Sequence, residues 1–207
     1  MKTKMIEKAV LLSLLLVILV SMVGFQRECE DISTRVLRLH ILANSDSEED
    51  QALKLKVRDR ILEEGRDLFS ATGDLSAAKE AAARNLDRLR LAAQDEIHRQ
   101  GYDYAVEIEL ANMYFATRVY DKVTLPAGTY DALRITIGGG QGKNWWCVLF
   151  PPMCVSAATG DVETDDVRLE TVLTDEQVDI VEESQRYEVR FKVVEWFEDI
   201  CQWFRSW

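Results

Sequence analysis

Val36-Leu-Arg-Leu-His-Ile-Leu42, running directly into Ala43-Asn-Ser-Asp-Ser-Glu-Glu-Asp50, decides the architecture of this chain. In the first segment Leu37, Leu39 and Ile41 fall on one side and Arg38 and His40 on the other, the period-two alternation of a half-buried strand. The second segment is a helix start: Ser45 and Glu48 have capping-box spacing, and Glu48, Glu49 and Asp50 suit the positive end of a helix dipole. The spacing predicts a helix over 47–69 with Leu53, Val57, Ile61 and Leu68 on one side. After Gly73 a second helix over about 75–100 carries Ala78, Ala82, Leu86, Leu89 and Ala93, and Gly101 ends it as a C-cap residue.

Downstream the period returns to two. Tyr104, Val106, Ile108 and Leu110 alternate with Ala105, Glu107 and Glu109. Further strands are expected over 115–125, 130–137 and the apolar run 145–150, the last stopped by Pro151-Pro152. Gly138-Gly-Gly-Gln-Gly-Lys-Asn144 reads as a flexible connection. Short links between consecutive strands predict an antiparallel meander, and the whole predicts an α+β fold. Its form is a two-layer sandwich, a mainly antiparallel sheet packed by two long helices, with a C-terminal amphipathic helix.

An acidic stretch over 161–179 reads as a solvated loop with one short helix near 174–183. Tyr187, Val189, Phe191 and Val193 alternate with charged residues as a strand would, and the period turns helical from Val193. On that helix Glu195, Glu198, Asp199 and Gln202 share one side, while Trp196, Phe197, Ile200, Trp203 and Phe204 crowd the other. Such an aromatic face docks on the domain, or rests on a membrane or a membrane partner. The expected organisation is a segment over 1–24 and one domain over 25–207, with a core near 35–155, a linker near 156–185 and a strand-helix unit near 186–207.

Residues 1–24 have the layout of an export signal. Lys2, Lys4 and Lys8 precede a run from Ala9 to Gly24 that is apolar apart from Ser13 and Ser21. Two readings stand: a cleaved signal peptide, or an anchor slightly short of the ~20 apolar residues of a membrane-spanning helix. Ser21-Met22-Val23 is a poor cleavage site, and no small-residue lipobox precedes Cys29. Either way the basic end stays in the cytoplasm and the remainder faces outward.

The net charge is −11, of which Lys2, Lys4 and Lys8 against Glu7 contribute +2, so the exported part carries −13. That charge argues against nucleic acid and anionic lipid as partners. Four cysteines in an exported chain permit disulfides; Cys147 and Cys154 can join across a short loop, while Cys201 also reads as a buried thiol.

No catalytic motif survives inspection. In the glycine loop Gly142-Lys143 is preceded by Ile137 where a phosphate loop needs glycine, Asn144 replaces its hydroxyl, and a strand follows. Asn44, Asp46, Glu48 and Asp50 have calcium-loop spacing, but Glu49 and Leu55 stand where glycine and glutamate are needed. The two histidines, His40 and His98, lack paired-ligand spacing. No metal, cofactor or small-molecule substrate is expected, and the chain is read as a non-enzyme. A rival reading is an extracytoplasmic thiol enzyme using Cys147 or Cys154 with His40; another is a wall-binding module.

Two motifs carry a family resemblance. One is Leu39-His-Ile-Leu-Ala-Asn-Ser-Asp46 with Glu49-Asp-Gln51 and Leu53-Lys-Leu-Lys-Val-Arg-Asp59. The other is Leu125-Pro-Ala-Gly-Thr-Tyr130, Ala132-Leu-Arg134 and Gly142-Lys-Asn-Trp-Trp-Cys-Val-Leu-Phe-Pro-Pro-Met-Cys154, with Arg190-Phe-Lys192 and Glu195 as a weaker third. With these the sequence resembles the stage II sporulation protein R family of endospore-forming bacteria. Met153 stands where that family has leucine, and the tail after Cys154 is less typical of it. The resemblance implies a ligand, made in the forespore and exported into the space between the two membranes. There it would trigger a membrane-embedded aspartic protease of the mother cell to cleave the precursor of sporulation sigma factor E. The expected contact is Asn144, Trp145, Trp146, Pro151 and Pro152, with His40, Asn44 and Asp46 as a second edge. Membrane contact is expected only through residues 1–24, if they are retained.

Overall fold

The computed structural model describes residues 2–70, 73–120, 123–153 and 166–205. Helix α1 (Lys2–Ser33) leads into strand β1 (Leu37–Leu42), then α2 (Glu48–Ser70), α3 (Leu75–Arg84) and α4 (Leu86–Arg99). Strands β2 (Val106–Phe115), β3 (Arg118–Tyr120), β4 (Val123–Leu125), β5 (Gly128–Ile137) and β6 (Asn144–Phe150) follow. Helices α5 (Asp166–Val172), α6 (Asp175–Glu182) and α7 (Ser184–Arg205) complete the described chain.

The fold is α+β, and its sheet is mixed. The order is β2-β5-β1-β6, with β1 parallel to β5 and antiparallel to β6, and β2 antiparallel to β5. β1 therefore lies inside the sheet between two strands that are consecutive in sequence, which a simple meander does not allow. The alternation read from the sequence sets its two faces. Leu37, Leu39 and Ile41 join Leu133, Ile135, Ile137 and Leu149 in a core closed by α2, α3 and α4. Leu53, Val57 and Ile61 of α2 and Leu89, Ala93 and Ile97 of α4 supply the helical side. Full burial of each large aliphatic is worth about 1.5–3 kcal/mol.

The opposite face is covered as well. Phe25, Cys29 and Ile32, at helical spacing on the end of α1, pack there with Phe115, Val123, Leu125, Tyr130 and Val148. Leu169, Leu173, Ile180 and Val181 are buried in the same cluster, so the part of the acidic stretch that is described is two packed helices and not a solvated linker. Thr174 caps α6 through a complete capping box with Gln177.

Other expectations shift. The strand expected over 115–125 divides: Phe115 ends β2 opposite Gly128, and β3–β4 form a separate hairpin laid over the second core. The second long helix breaks at Asn85 into α3 and α4. Residues 187–193 belong to α7, because their alternating set is divided between two sides of a helix: Phe191 turns inward and Val189 and Val193 outward. Ser47, not Ser45, caps α2, its Oγ accepting from Asp50 N at 3.2 Å. Gly101 ends α4 at φ +85° as expected.

Candidate functional site

The two sequence motifs meet at one end of the sheet, where β1 and β5 finish and β6 begins. The turn after β1 is locked to the glycine loop by backbone and side chain together. Gly142 N donates to Ala43 O at 2.9 Å and Gln141 N to Asn44 O at 3.2 Å. Asn44 Oδ1 accepts from Gly139 N at 2.9 Å, and Asp46 Oδ1 accepts from Lys143 N at 2.6 Å. Lys54 reaches across from α2, donating to Lys143 O at 2.9 Å and Gln51 Oε1 at 2.6 Å. The loop read as flexible is thus pinned, since its amides spend their donors on the other motif. Gly142 lies so close that an added Cβ would stand 2.5 Å from the Ser45 carbonyl carbon.

Asp50 is the anchor beneath this latch. It is buried and accepts from Asn44 Nδ2 at 2.9 Å and from Ser45 Oγ. Burial pushes its carboxyl up, but the donors Ser45, Asn44 and Tyr104 outweigh burial and hold it below the ordinary carboxylate range. Asn44 and Asp46, expected as partner contacts, therefore have structural work within the domain.

Beside the latch, on the face of the sheet opposite α2, lies an aromatic stack. His40 is buried and parallel to Trp146, with ring centres 3.8 Å apart and planes 5° apart. Its Nε2 donates to Asn144 Oδ1 at 3.0 Å, and its buried Nδ1 has no hydrogen-bond partner. Burial holds the His40 pKa below its ordinary value, against the upward pull of Asn144 and with added repulsion from Arg134. Phe115 stands edge-on to Trp146 at 4.8 Å. Beneath it the fully buried Arg38 places its guanidinium 4.3 Å from the Phe115 ring centre and 4.8 Å from that of Tyr130. Arg38 donates to the Tyr120 hydroxyl, while its Nε and Nη1 have no hydrogen-bond partner. On the outside Arg118 covers Trp146 at 5.6 Å, and both Asn144 and Arg118 are exposed.

The expected contact residues thus separate. His40, Asn144 and Trp146 form one cluster, with Asn44 and Asp46 at the same end of the sheet. Trp145 points to the other face, its ring 4.4 Å from the Arg58 guanidinium of α2. Pro151 and Pro152 follow the far end of β6, about 20 Å away at ~3.3 Å per residue; Pro151 is buried and Pro152 half-buried. Reading the sequence missed Arg38, Phe115, Tyr120, Tyr130 and Arg118. For Phe115, Tyr120 and Tyr130 the signal is the aromatic density of residues 114–130, whereas Arg38 and Arg118 carry none, because β1, β2, β3 and β5 come together only in the fold.

The thiol constellation is not assembled at Cys147. Cys147 pairs in register with Leu39, on the sheet face away from the His40 side chain, and is held in a disulfide. Cys29 and Cys201 are free thiols, and Cys154 lies outside the described residues. Among the described residues no group of His, Cys, Asp or Glu is arranged to hold a metal ion.

An α+β domain carried on an apolar helix, with two sequence motifs locked at one sheet end, defines the class. The chain belongs to the stage II sporulation protein R family, whose profile matches residues 33–160. It is 32% identical over 185 residues to the Stage II sporulation protein R of Bacillus subtilis (strain 168), covering 82% of this chain and 83% of that one. No solved structure matches the chain. The family assigns it a role in sporulation. The matched region contains the whole sheet, the latch and the stack, whereas α5, α6 and α7 lie beyond it.

Proposed function

We propose that this protein is an exported sporulation signal that activates a membrane-embedded aspartic protease in the opposite, mother-cell membrane, leading to cleavage of the precursor of sporulation sigma factor E. Family membership supports the sporulation role. The N-terminal helix, long and apolar enough to cross a membrane, supports delivery to the intermembrane space. The observation that carries the contact is the solvent-facing group of Asn144, Trp146 and Arg118 backed by buried His40. A rigid, partly exposed tryptophan with a planar cation over it is the composition of an interface anchor.

Co-expressing the protease, the precursor and this chain in a non-sporulating host tests the reading by the amount of cleaved precursor. An increase is expected, and its absence overturns the activator role. Arg118→Glu changes an exposed side chain, so folding is expected to survive while cleavage falls about tenfold or more, as removal of a hot-spot contact would require. A variant that keeps both its melting curve and full cleavage would move the contact elsewhere.

A further inference from the structure

Helix α7 turns its apolar side away from the protein. Tyr187, Phe191 and Val194 face the second core, and Glu198 is buried beside them. Directly opposite, Val189, Val193, Trp196, Ile200 and Trp203 form a continuous exposed stripe, flanked by Phe197 and Phe204. Trp196 is 70% exposed and Phe204 67%, an aromatic patch of a kind soluble surfaces rarely leave open.

The geometry of α1 says what covers it. Exposure along α1 drops from 53% at Val23 to 4% at Phe25, marking the level at which the apolar run ends and the domain begins. At that level α7 packs against α1. Tyr187 stacks on Phe25 at 5.6 Å and Phe191 meets the same ring at 5.4 Å. Glu198, about 16 Å from Tyr187 along the helix axis, accepts from the adjacent Gln26 at 3.1 Å. The turn of α1 at Phe25 and Gln26 thus meets α7 at Tyr187, Phe191 and Glu198 alike.

We infer that α7 is an interfacial helix, laid flat on the bilayer that α1 enters, with Trp196, Ile200 and Trp203 inserted at the boundary between headgroups and acyl chains. Tryptophan is suited to that level, with an apolar body and a polar N–H. The flanks carry Arg190 and Lys192 against Glu188, Glu195 and Asp199, and the exported domain is strongly acidic. The fitting surface is therefore zwitterionic lipid, held by apolar contact and not by charge. The inference rests on α1 remaining attached as an anchor, and does not depend on protease activation. With it, membrane contact extends beyond residues 1–24.

The test uses the full chain in nanodiscs of phosphatidylcholine whose acyl chains are brominated, so that lipid quenches nearby tryptophan. α1 contains no tryptophan, so insertion of the anchor alone gives no signal. Quenching is expected to fall by about half or more in W196F/W203F, the rings assigned to the interface, and to persist in W145F, whose ring lies on the other side of the sheet. Exchanging part of the phosphatidylcholine for phosphatidylglycerol should not increase it. A chain that leaves the discs overturns the proposal, as does quenching indifferent to W196F/W203F. So does a second copy cross-linked across this face within one disc. Precursor cleavage is scored separately, so failure here is distinct from failure of the activator role.

Discussion

Two glycines in one loop should answer very differently to the same methyl group. At Gly142 an added Cβ would stand 2.5 Å from the Ser45 carbonyl carbon, overlap the carbonyl oxygen, and press on Ala43 Cβ at 3.0 Å. Backbone stands in the way, so the loop must lift. It then surrenders the Gly142–Ala43 and Lys143–Asp46 hydrogen bonds, each worth about 1 kcal/mol net, and overpacking adds about 1–3 kcal/mol. Gly142→Ala should therefore lose about 3–5 kcal/mol, a fall of about 1.5–2.5 M in the urea midpoint at a slope of ~2 kcal/mol per molar. At Gly139 the nearest atom to an added Cβ is Asn44 Oδ1 at 3.6 Å, an ordinary contact. Gly139→Ala should stay within about 0.5 kcal/mol of wild type, or gain slightly from a less free unfolded chain. The assay is urea unfolding followed by far-ultraviolet circular dichroism on all three proteins. Equal midpoints for the two variants would refute the latch, and with it the view that these motifs are joined to build the fold.

Two further predictions concern the stack. Because burial depresses the His40 pKa, the unfolded chain takes up a proton near pH ~6.5 while the folded chain does not. Stability is then full above that pH and declines as pH falls through it, so the wild-type urea midpoint should drop more between pH 7 and 5 than that of His40→Gln; parallel curves would contradict this. Arg38 is fully buried, and no carboxylate hydrogen-bonds it among the described residues. Arg38→Met should hold stability or raise it by about 1 kcal/mol, whereas Arg38→Ala should lose about 3 kcal/mol to the cavity. A methionine variant as unstable as the alanine one would show that ring contacts and Tyr120 compensate the charge.

What the sequence disclosed was local. Leu37, Leu39 and Ile41 announce their shared face by spacing alone, and Leu53, Val57 and Ile61 announce the helix that covers it. The α+β class follows from that. The parallel pairing of β1 with β5 does not, because it joins residues far apart in the chain and leaves no mark on either strand's pattern. Periodicity also misled at residues 187–193, where the apolar residues every second position fit a helix with two unlike faces equally well. The site was half legible for the same reason. His40, Asn144 and Trp146 were singled out by residue type and motif, yet their stacking, and the separation of Trp145 to the other face, depend on register between β1 and β6. Arg38 and Phe115 became partners only through the sheet.

The central place of β1 has a consequence for how the molecule is made. It is the first strand in the chain, and both strands that border it come last. Until β5 has followed, through Ile137, Leu37–Leu42 has neither edge paired, and its second edge waits for β6, which ends at Phe150. The closing contacts span most of the chain, so their loop-closure cost falls early and their reward late, the condition for slow assembly. Between its synthesis and that closure the nascent domain carries an apolar strand with open edges. In that interval it is open to strand pairing with other extended chains. Synthesis from the N-terminus thus delivers the middle of the sheet first and its borders afterwards.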